Sequence, residues 1–169
     1  ELREKEANLR AQELGLGEIR FENKGDFLVA GLSEQFTPQT AQNIAKLWGR
    51  FQSASGMVSR RVEEGVAYGV AYNTKDGCQF NYLAGIEVPD ETGLPVDWSS
   101  LRIGASRYAV FTHRGPVWEL PQTLSTIWQK WAPDCVVKIA KAPCFERYTK
   151  EFNGQTGGME IWVPIESKA

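Results

Sequence analysis

The chain has 169 residues, of which 42% are hydrophobic and 24% are charged, the balance of a folded domain rather than a disordered chain. Its 19 Lys and Arg residues stand against 21 Asp and Glu residues, and the formal net charge of −2 argues against nucleic-acid binding through a basic face. No apolar run approaches the roughly 18 residues of a membrane span. Because residues 1–18 are not a basic, apolar segment ending in small residues, we expect no export signal.

The first predicted element is a short charged helix over residues 1–14, which ends at Gly15 and Gly17. Its leucines are too sparse for an apolar seam, so the pattern predicts a solvated helix. We expect residues 1–18 to form an N-terminal helical arm or linker and residues 19–166 to form one domain. Because residue 1 is Glu rather than Met, we expect a processed or truncated start.

The next elements make up a first half of the domain. A strand is predicted at residues 27–32, and Thr37 with Pro38 marks the start of an amphipathic helix that runs to about Ser55. Two further strands are predicted at 66–72 and 79–88, joined by a turn at 73–77. The Pro- and Gly-rich residues 89–100 are predicted to connect this half to the next.

The second half repeats the order of the first. A strand at residues 101–113 precedes a helix over 116–131, and strands at 144–150 and 159–165 flank a Gly-rich turn at 153–158. The buried stripe of the helix is predicted to contain Leu120, Leu124, Ile127, Trp128 and Trp131.

The repeated order favours a duplicated β-α-β-β unit. Each helix has one apolar stripe and is expected to cover one face of a short antiparallel sheet. The sequence therefore predicts an α+β fold with pseudo-twofold symmetry, one helix behind each sheet and a ligand groove between the halves.

Strand alternation predicts what lines that groove. In residues 159–165, Glu160 and Trp162 point away from the apolar face, and in residues 144–148 Glu146 and Tyr148 point away from Phe145. We expect these four side chains on one surface, together with the tyrosines Tyr68 and Tyr82 of the first half.

Aromatic faces with a carboxylate between them suit an organic cation, because each ring attracts it by about 0.5–2 kcal/mol and the acid supplies the opposite charge. Burial among rings is expected to raise the pKa of Glu146. The alternative is an ordinary solvated sheet face, on which Glu and Tyr side chains simply meet water.

Five segments together resemble the GyrI-like small-molecule-binding domain, also known as the AraC-type or BmrR-like effector-binding domain. The resemblance covers about residues 19–166. The segments that carry it are residues 68–72, 82–88, 108–115, 143–148 and 160–165.

The resemblance implies a duplicated β-α-β-β fold and a cleft for amphipathic, often cationic or aromatic compounds, with a buried glutamate that falls on Glu146. It also implies that Glu160 and Trp162 contribute. The candidate ligand-binding residues are Glu146, Tyr148, Glu160, Trp162, Tyr68, Tyr82, Phe111 and Trp118.

The resemblance leaves several roles open. The chain is similar to the sensor piece of a transcription regulator, with a DNA-binding domain upstream, and to stand-alone drug binders carried on mobile gene cassettes. Some relatives resemble hydrolases of strained cyclopropane compounds that use a groove glutamate, and one inhibits DNA gyrase. We expect a binder rather than an enzyme, with no direct nucleic-acid binding by this chain.

The remaining reactive residues predict no catalytic or metal site. His113, the only His, is expected to be a packing or capping residue, and no Gly-x-Ser-x-Gly elbow is present. Cys78, Cys135 and Cys144 have neither disulfide nor zinc spacing, so we expect a reducing, cytoplasmic setting without metal or cofactor.

Overall fold

A computed structural model of the chain describes residues 2–75 and 79–166, and those residues divide into two compact units. Unit 1 contains residues 2–25, 105–141 and 147–166, and unit 2 contains residues 26–104 and 142–146. The helices are α1 (Leu2–Glu13), α2 (Ile44–Ala54) and α3 (Leu120–Thr126). The strands are β1 (Arg20–Lys24), β2 (Phe27–Phe36), β3 (Ala67–Tyr72), β4 (Phe80–Val88), β5 (Ser99–Ile103), β6 (Ser106–His113), β7 (Cys144–Tyr148) and β8 (Met159–Ile165).

In unit 2 the strands β3, β4, β2 and β5 pair in that order, and neighbouring strands run antiparallel. Helix α2 covers one face, with Leu47 and Phe51 buried and Ile44 and Trp48 packed against the same cluster. This is the amphipathic stripe that the sequence predicts. Opposite residues of paired strands share a face, so Ala71 and Tyr82 lie together on one side of the sheet.

In unit 1 the strands β1, β6 and β8 pair antiparallel. Arg20 lies opposite Val110, which in turn lies opposite Trp162, so these three residues form one row on one face. On the other face the Phe111 ring packs edge-on against Trp131 of the helical segment after α3, with 4.9 Å between ring centroids. Residues 159, 161, 163 and 165 thus face the helix, as predicted.

The α+β class and the twofold repeat of strand, helix, strand, strand along the chain are confirmed, as β2-α2-β3-β4 and β6-α3-β7-β8. The predicted turn at 73–77 falls partly, and Cys78 wholly, outside the described residues.

Two predictions about the junction of the halves are wrong. The single strand expected at 101–113 is two strands interrupted at Gly104, a residue that weakens a strand because it has no side chain to pack. The first of these, β5, pairs with β2 in unit 2, so the chain leaves that unit after Gly104 rather than within the predicted connector 89–100. Strand β1 had no sequence signal beyond mixed polar residues.

Helix α3 continues into a π-helical turn, Ile127–Trp131. The Ala132 amide there donates to the Ile127 carbonyl. A π turn holds an extra residue and shifts the angular phase of the side chains that follow. Ile127 and Trp131 are buried, but Trp128 is 40% exposed, so its predicted place in the stripe is wrong.

Helix α1 is only partly solvated. Leu2 and Leu9 are exposed as expected, but Ala7 and Ala11 are buried, and the Ala7 carbonyl accepts a hydrogen bond from the Trp131 indole at 3.0 Å. Small alanines allow this close approach although they add little to an apolar pattern. Over the ranges described above, no helix is long and apolar enough to cross a bilayer.

Candidate functional site

Glu146 lies at the end of a short hydrogen-bond chain within unit 2. The Trp48 indole nitrogen of α2 donates to the Tyr82 hydroxyl of β4 at 3.0 Å, and that hydroxyl donates to Glu146 Oε1 at 2.9 Å. An indole N–H can only donate, so the single tyrosine proton is directed at the carboxylate. This pair of hydrogen bonds therefore orients Glu146 through the neutral hydroxyl of Tyr82.

Gly69 makes the space for this contact. A Cβ at this position would overlap the Tyr82 hydroxyl, would lie 2.7 Å from Tyr82 Cζ and would lie 3.0 Å from Glu146 Oε1. Only a residue without a side chain permits the hydrogen bond as it stands. Gly69, Tyr82 and Glu146 therefore meet on one face of the sheet.

Aromatic rings surround the Tyr82 end of the chain. Trp48 packs edge-on against Tyr82 and Phe51, with centroids 6.4 Å and 5.9 Å apart, and Phe36 packs edge-on against Tyr82 at 6.4 Å. Such edge-to-face pairs fix ring orientation in addition to burying apolar area. The acid is thus attached to a well-packed aromatic cluster.

The pKa of the Cys144 thiol depends in part on the charge of Glu146. Residues two apart in a strand share a face, which places the Cys144 thiol beside the carboxylate. Desolvation by the surrounding protein and the negative charge of Glu146 raise the pKa of Cys144 to about 12. The thiol therefore stays protonated and unreactive near neutral pH.

Tyr68 does not share this site, and the prediction that it faces the same surface as Tyr82 is wrong. Because Ala71 is opposite Tyr82, the alternating residues Tyr68 and Tyr72 point to the other side of the sheet. Tyr68 is fully buried there, with its ring 5.6 Å from Phe145 and 5.4 Å from Phe27.

Glu160 of unit 1 has a different environment. Its Oε2 accepts from Arg20 Nη2 at 2.9 Å, and its Oε1 accepts from the Trp162 indole at 3.0 Å and from Arg147 Nη1 at 3.3 Å. The Arg20 guanidinium also lies over the Trp162 ring, 5.6 Å from its centroid, and pairs with Glu22. An aromatic ring and an acid are combined here as predicted, but a side chain of the protein occupies them.

The electrostatics of Glu160 follow from these contacts. Burial opposes ionisation, but the hydrogen bonds from Trp162 and Arg20 and the charges of Arg20 and Arg147 outweigh it and lower the pKa of Glu160 below 4.5. Glu160 is therefore a carboxylate compensated by two guanidinium groups at neutral pH.

The other unit 1 candidates lie apart from Glu160. Arg147 is the β7 residue beside Glu160, so Tyr148 points to the opposite face of the strand, where its ring packs 5.1 Å from Phe152. The predicted shared surface of Tyr148 and Glu160 is wrong for that reason. Phe111 is a fully buried core residue, and Trp118 is 66% exposed in a 3₁₀ turn.

His113 is a packing residue, as expected. Its Nε2 donates to the Pro116 carbonyl at 2.8 Å, and its Nδ1 hydrogen-bonds with the Thr123 hydroxyl at 2.8 Å. Within the described parts of the chain, no three His, Cys, Asp or Glu side chains cluster closely enough to hold a metal ion.

Sequence reasoning missed Trp48, Gly69 and Arg20 as parts of these sites. Trp48 had a usable signal, since an indole N–H on an apolar helix stripe needs an acceptor nearby. Arg20 had none, because its partner Glu160 is 140 positions away in the sequence.

Comparison with known proteins gives a family and a fold. The sequence profile of the GyrI-like small molecule binding domain matches residues 17–166. A curated relative, the transcriptional regulator BrlR of Pseudomonas aeruginosa, is 26% identical over 142 residues, which cover 82% of this chain and 52% of BrlR. The chain thus spans about half the length of that relative.

Two solved structures have the same fold. SAV2435 bound to tetraphenylphosphonium superposes with a TM-score of 0.69 at 18% identity, over 88% of this chain and 94% of its own. An integron cassette protein from the mobile metagenome of Vibrio cholerae gives a TM-score of 0.63 at 18% identity, over 88% and 95%.

Proposed function

We propose that this chain, which belongs to the family of GyrI-like small-molecule-binding domains, binds amphipathic aromatic cations with the carboxylate of Glu146 as the negative centre. The observation that carries the proposal is the hydrogen-bond chain from Trp48 through Tyr82 to Glu146. In this proposal Glu146 keeps its predicted role. Tyr82, predicted on the sheet face away from the helix, is instead buried in the core against α2 and contributes its hydroxyl, and Trp48 is added as the residue that orients Tyr82.

The chemistry of the site favours a cation over a neutral compound. The Tyr82 hydroxyl is uncharged, so its hydrogen bond orients the Glu146 carboxylate without cancelling the negative charge. The partly exposed ring of Trp48 adds an attraction of about 0.5–2 kcal/mol for a cation placed over its face, whereas Tyr82 is buried and acts through its hydroxyl. An apolar, positively charged compound uses both features at once.

The relatives support a sensing role for this binding. SAV2435 was solved with tetraphenylphosphonium, a bulky aromatic cation. BrlR is a transcriptional regulator, and the match covers about half of it. We therefore propose that the domain acts as an effector-binding module, either beside a DNA-binding domain or as a stand-alone binder.

The test is the affinity of the chain for tetraphenylphosphonium, measured by calorimetry with wild type and Glu146→Gln. The substitution keeps the shape of the side chain and removes its charge. Loss of a buried charge partner costs about 2–5 kcal/mol of binding, so we expect affinity to fall by about thirtyfold or more. The matched control is Glu34→Gln in the same unit, which removes an exposed carboxylate paired with Arg50.

Glu34→Gln is expected to bind as wild type does, because exposed pairs contribute about 0–1 kcal/mol. Far-UV circular dichroism and urea unfolding establish that both variants are folded. Binding by Glu146→Gln within a few-fold of wild type would refute the assignment of the central acid.

A further inference from the structure

Unit 1 contains a second combination of ring and acid, formed by Trp162 and Glu160 of β8. The Arg20 guanidinium lies over the indole ring, 5.6 Å from its centroid, and donates to Glu160 Oε2 at 2.9 Å. These are the two interactions that a bound guanidinium compound would make, a planar cation on an aromatic face and a hydrogen bond to a carboxylate.

The walls of this site are ordered by contacts that do not involve Arg20. The Trp162 indole donates to Glu160 Oε1 at 3.0 Å, Arg147 donates to the same oxygen, and the Tyr108 ring packs edge-on against Trp162 at 5.5 Å. Arg147 and the indole therefore engage Oε1, while Arg20 engages Oε2.

Burial separates the walls from their occupant. Trp162 is only 5% exposed and the Glu160 side chain 15%, whereas the Arg20 side chain is 44% exposed. Arg20 can rotate into solvent at the cost of its own contacts and leave the ring and the acid in place. With Arg20 in place, the ring and the acid are therefore covered by a side chain that is itself well exposed.

We propose that the Glu160–Trp162 pair is a binding site for a planar guanidinium group, and that Arg20 is an internal ligand that fills it. The ligand class is a small alkylguanidinium compound, since a compact ammonium ion lacks the flat face and the paired donors that Arg20 uses. All of these residues belong to unit 1, so the proposal is independent of the one made for Glu146.

An internal ligand lowers the apparent affinity of an external one. The external compound binds only during the fraction of time in which Arg20 has left the site, and its apparent dissociation constant rises in proportion. Removing the Arg20 side chain removes this competition, so the site should bind alkylguanidinium more tightly in the variant than in the wild type.

The experiment titrates ethylguanidinium into Arg20→Ala and wild-type protein and follows the Trp162 indole N–H signal by NMR. Trp162→Phe assigns that signal among the six tryptophans. Arg102→Ala, which removes an exposed arginine paired with Asp26 in unit 2, is the control for loss of a surface arginine. Ethylammonium is the control for a cation without a planar group.

We expect saturable binding to Arg20→Ala that is at least about tenfold tighter than binding to wild type or Arg102→Ala. Ethylammonium should bind more weakly, and Glu160→Gln added to Arg20→Ala should abolish the gain. Equal affinity of Arg20→Ala and wild type, or a gain that survives Glu160→Gln, would overturn the proposal. If Arg20→Ala does not fold, Arg20→Gln, which keeps a polar side chain of similar reach, carries the same titration and the same outcomes.

Discussion

Unit 2 and unit 1 each place a glutamate beside an aromatic side chain, but they treat the charge of that glutamate differently. Glu146 accepts a hydrogen bond from the neutral Tyr82 hydroxyl, whereas Glu160 forms ion pairs with the guanidinium groups of Arg20 and Arg147. The hydrogen bond from Tyr82 adds no positive charge at Glu146, whereas the two arginines compensate the charge of Glu160. Residue types alone therefore do not identify a cation site, because a ring and an acid can already hold arginines of the protein, as Trp162 and Glu160 do.

The largest expected difference between the two acids is in folding stability. Glu160→Gln leaves Arg20 and Arg147 without their shared carboxylate, and for this partly exposed pair we expect a loss of about 2–3 kcal/mol in the free energy of unfolding. Glu146→Gln should leave that free energy within about 1 kcal/mol of wild type or raise it, because a partly buried charge is removed and the Tyr82 donor keeps an acceptor. Urea unfolding measures both.

Equal losses for the two substitutions would show that Glu146 is compensated as Glu160 is, and the comparison would fail. Glu34→Gln serves again as the reference for an exposed acid, with an expected change of about 0–1 kcal/mol.

Gly69→Ala sharpens the unit 2 side of the comparison. The new methyl group would displace the Tyr82 hydroxyl from both Trp48 and Glu146, and we expect a cost of about 1–2 kcal/mol in stability together with weaker binding of tetraphenylphosphonium. Gly49→Ala in α2 is the matched control, because nothing lies within 4 Å of its added methyl group. Wild-type binding by Gly69→Ala would show that the Tyr82 contact does not organise the site.

The pH dependence of folding stability tests whether the contacts of Glu160 in unit 1 depend on its charge. The pKa of Glu160 is lowered in the folded protein, so its ionised form stabilises the fold above the unfolded value near 4.5, and that contribution is lost as pH falls through the folded value. The stability difference between wild type and Glu160→Gln should therefore shrink below pH 4.5. A difference that stays constant down to about pH 3 would mean that the contacts of Glu160 do not depend on its charge.

The smallest expected effect is the change that Glu146→Gln makes in the rate at which the Cys144 thiol is alkylated. The measurement uses protein in which Cys78→Ser and Cys135→Ser leave Cys144 as the one cysteine. Burial, the first cause of its raised pKa, remains in Glu146→Gln, but the charge of Glu146 is gone, so the thiolate fraction should rise. We expect iodoacetamide at about pH 8 to label Cys144 slowly, and a few-fold faster in Glu146→Gln. Unchanged labelling would indicate that Glu146 carries no charge in the free protein.

Local patterns predicted what depends on one element alone. The alternation in β8 correctly separates Glu160 and Trp162 from Met159 and Ile161, because successive side chains of a strand always point to opposite faces. The stripe of α2 was predicted for the same reason, since helix periodicity is a property of contiguous residues.

Relations between elements were predicted less well. Tyr68 and Tyr82 were assigned to one face, but the register of β3 on β4 pairs Ala71 with Tyr82, and register is set by distant contacts rather than by either strand's own pattern. The same holds for Arg20, whose role depends on the pairing of β1 with β6 and of β6 with β8.

The most direct test of the central claim varies the charge of the ligand and the charge of Glu146 together. Tetraphenylphosphonium and tetraphenylborate have nearly the same shape and opposite charges, and both are titrated into wild type and Glu146→Gln. We expect wild type to prefer the cation strongly and Glu146→Gln to lose most of that preference, because the cation alone gains from the carboxylate. A preference of wild-type size in Glu146→Gln would contradict the claim that Glu146 is the negative centre of the site.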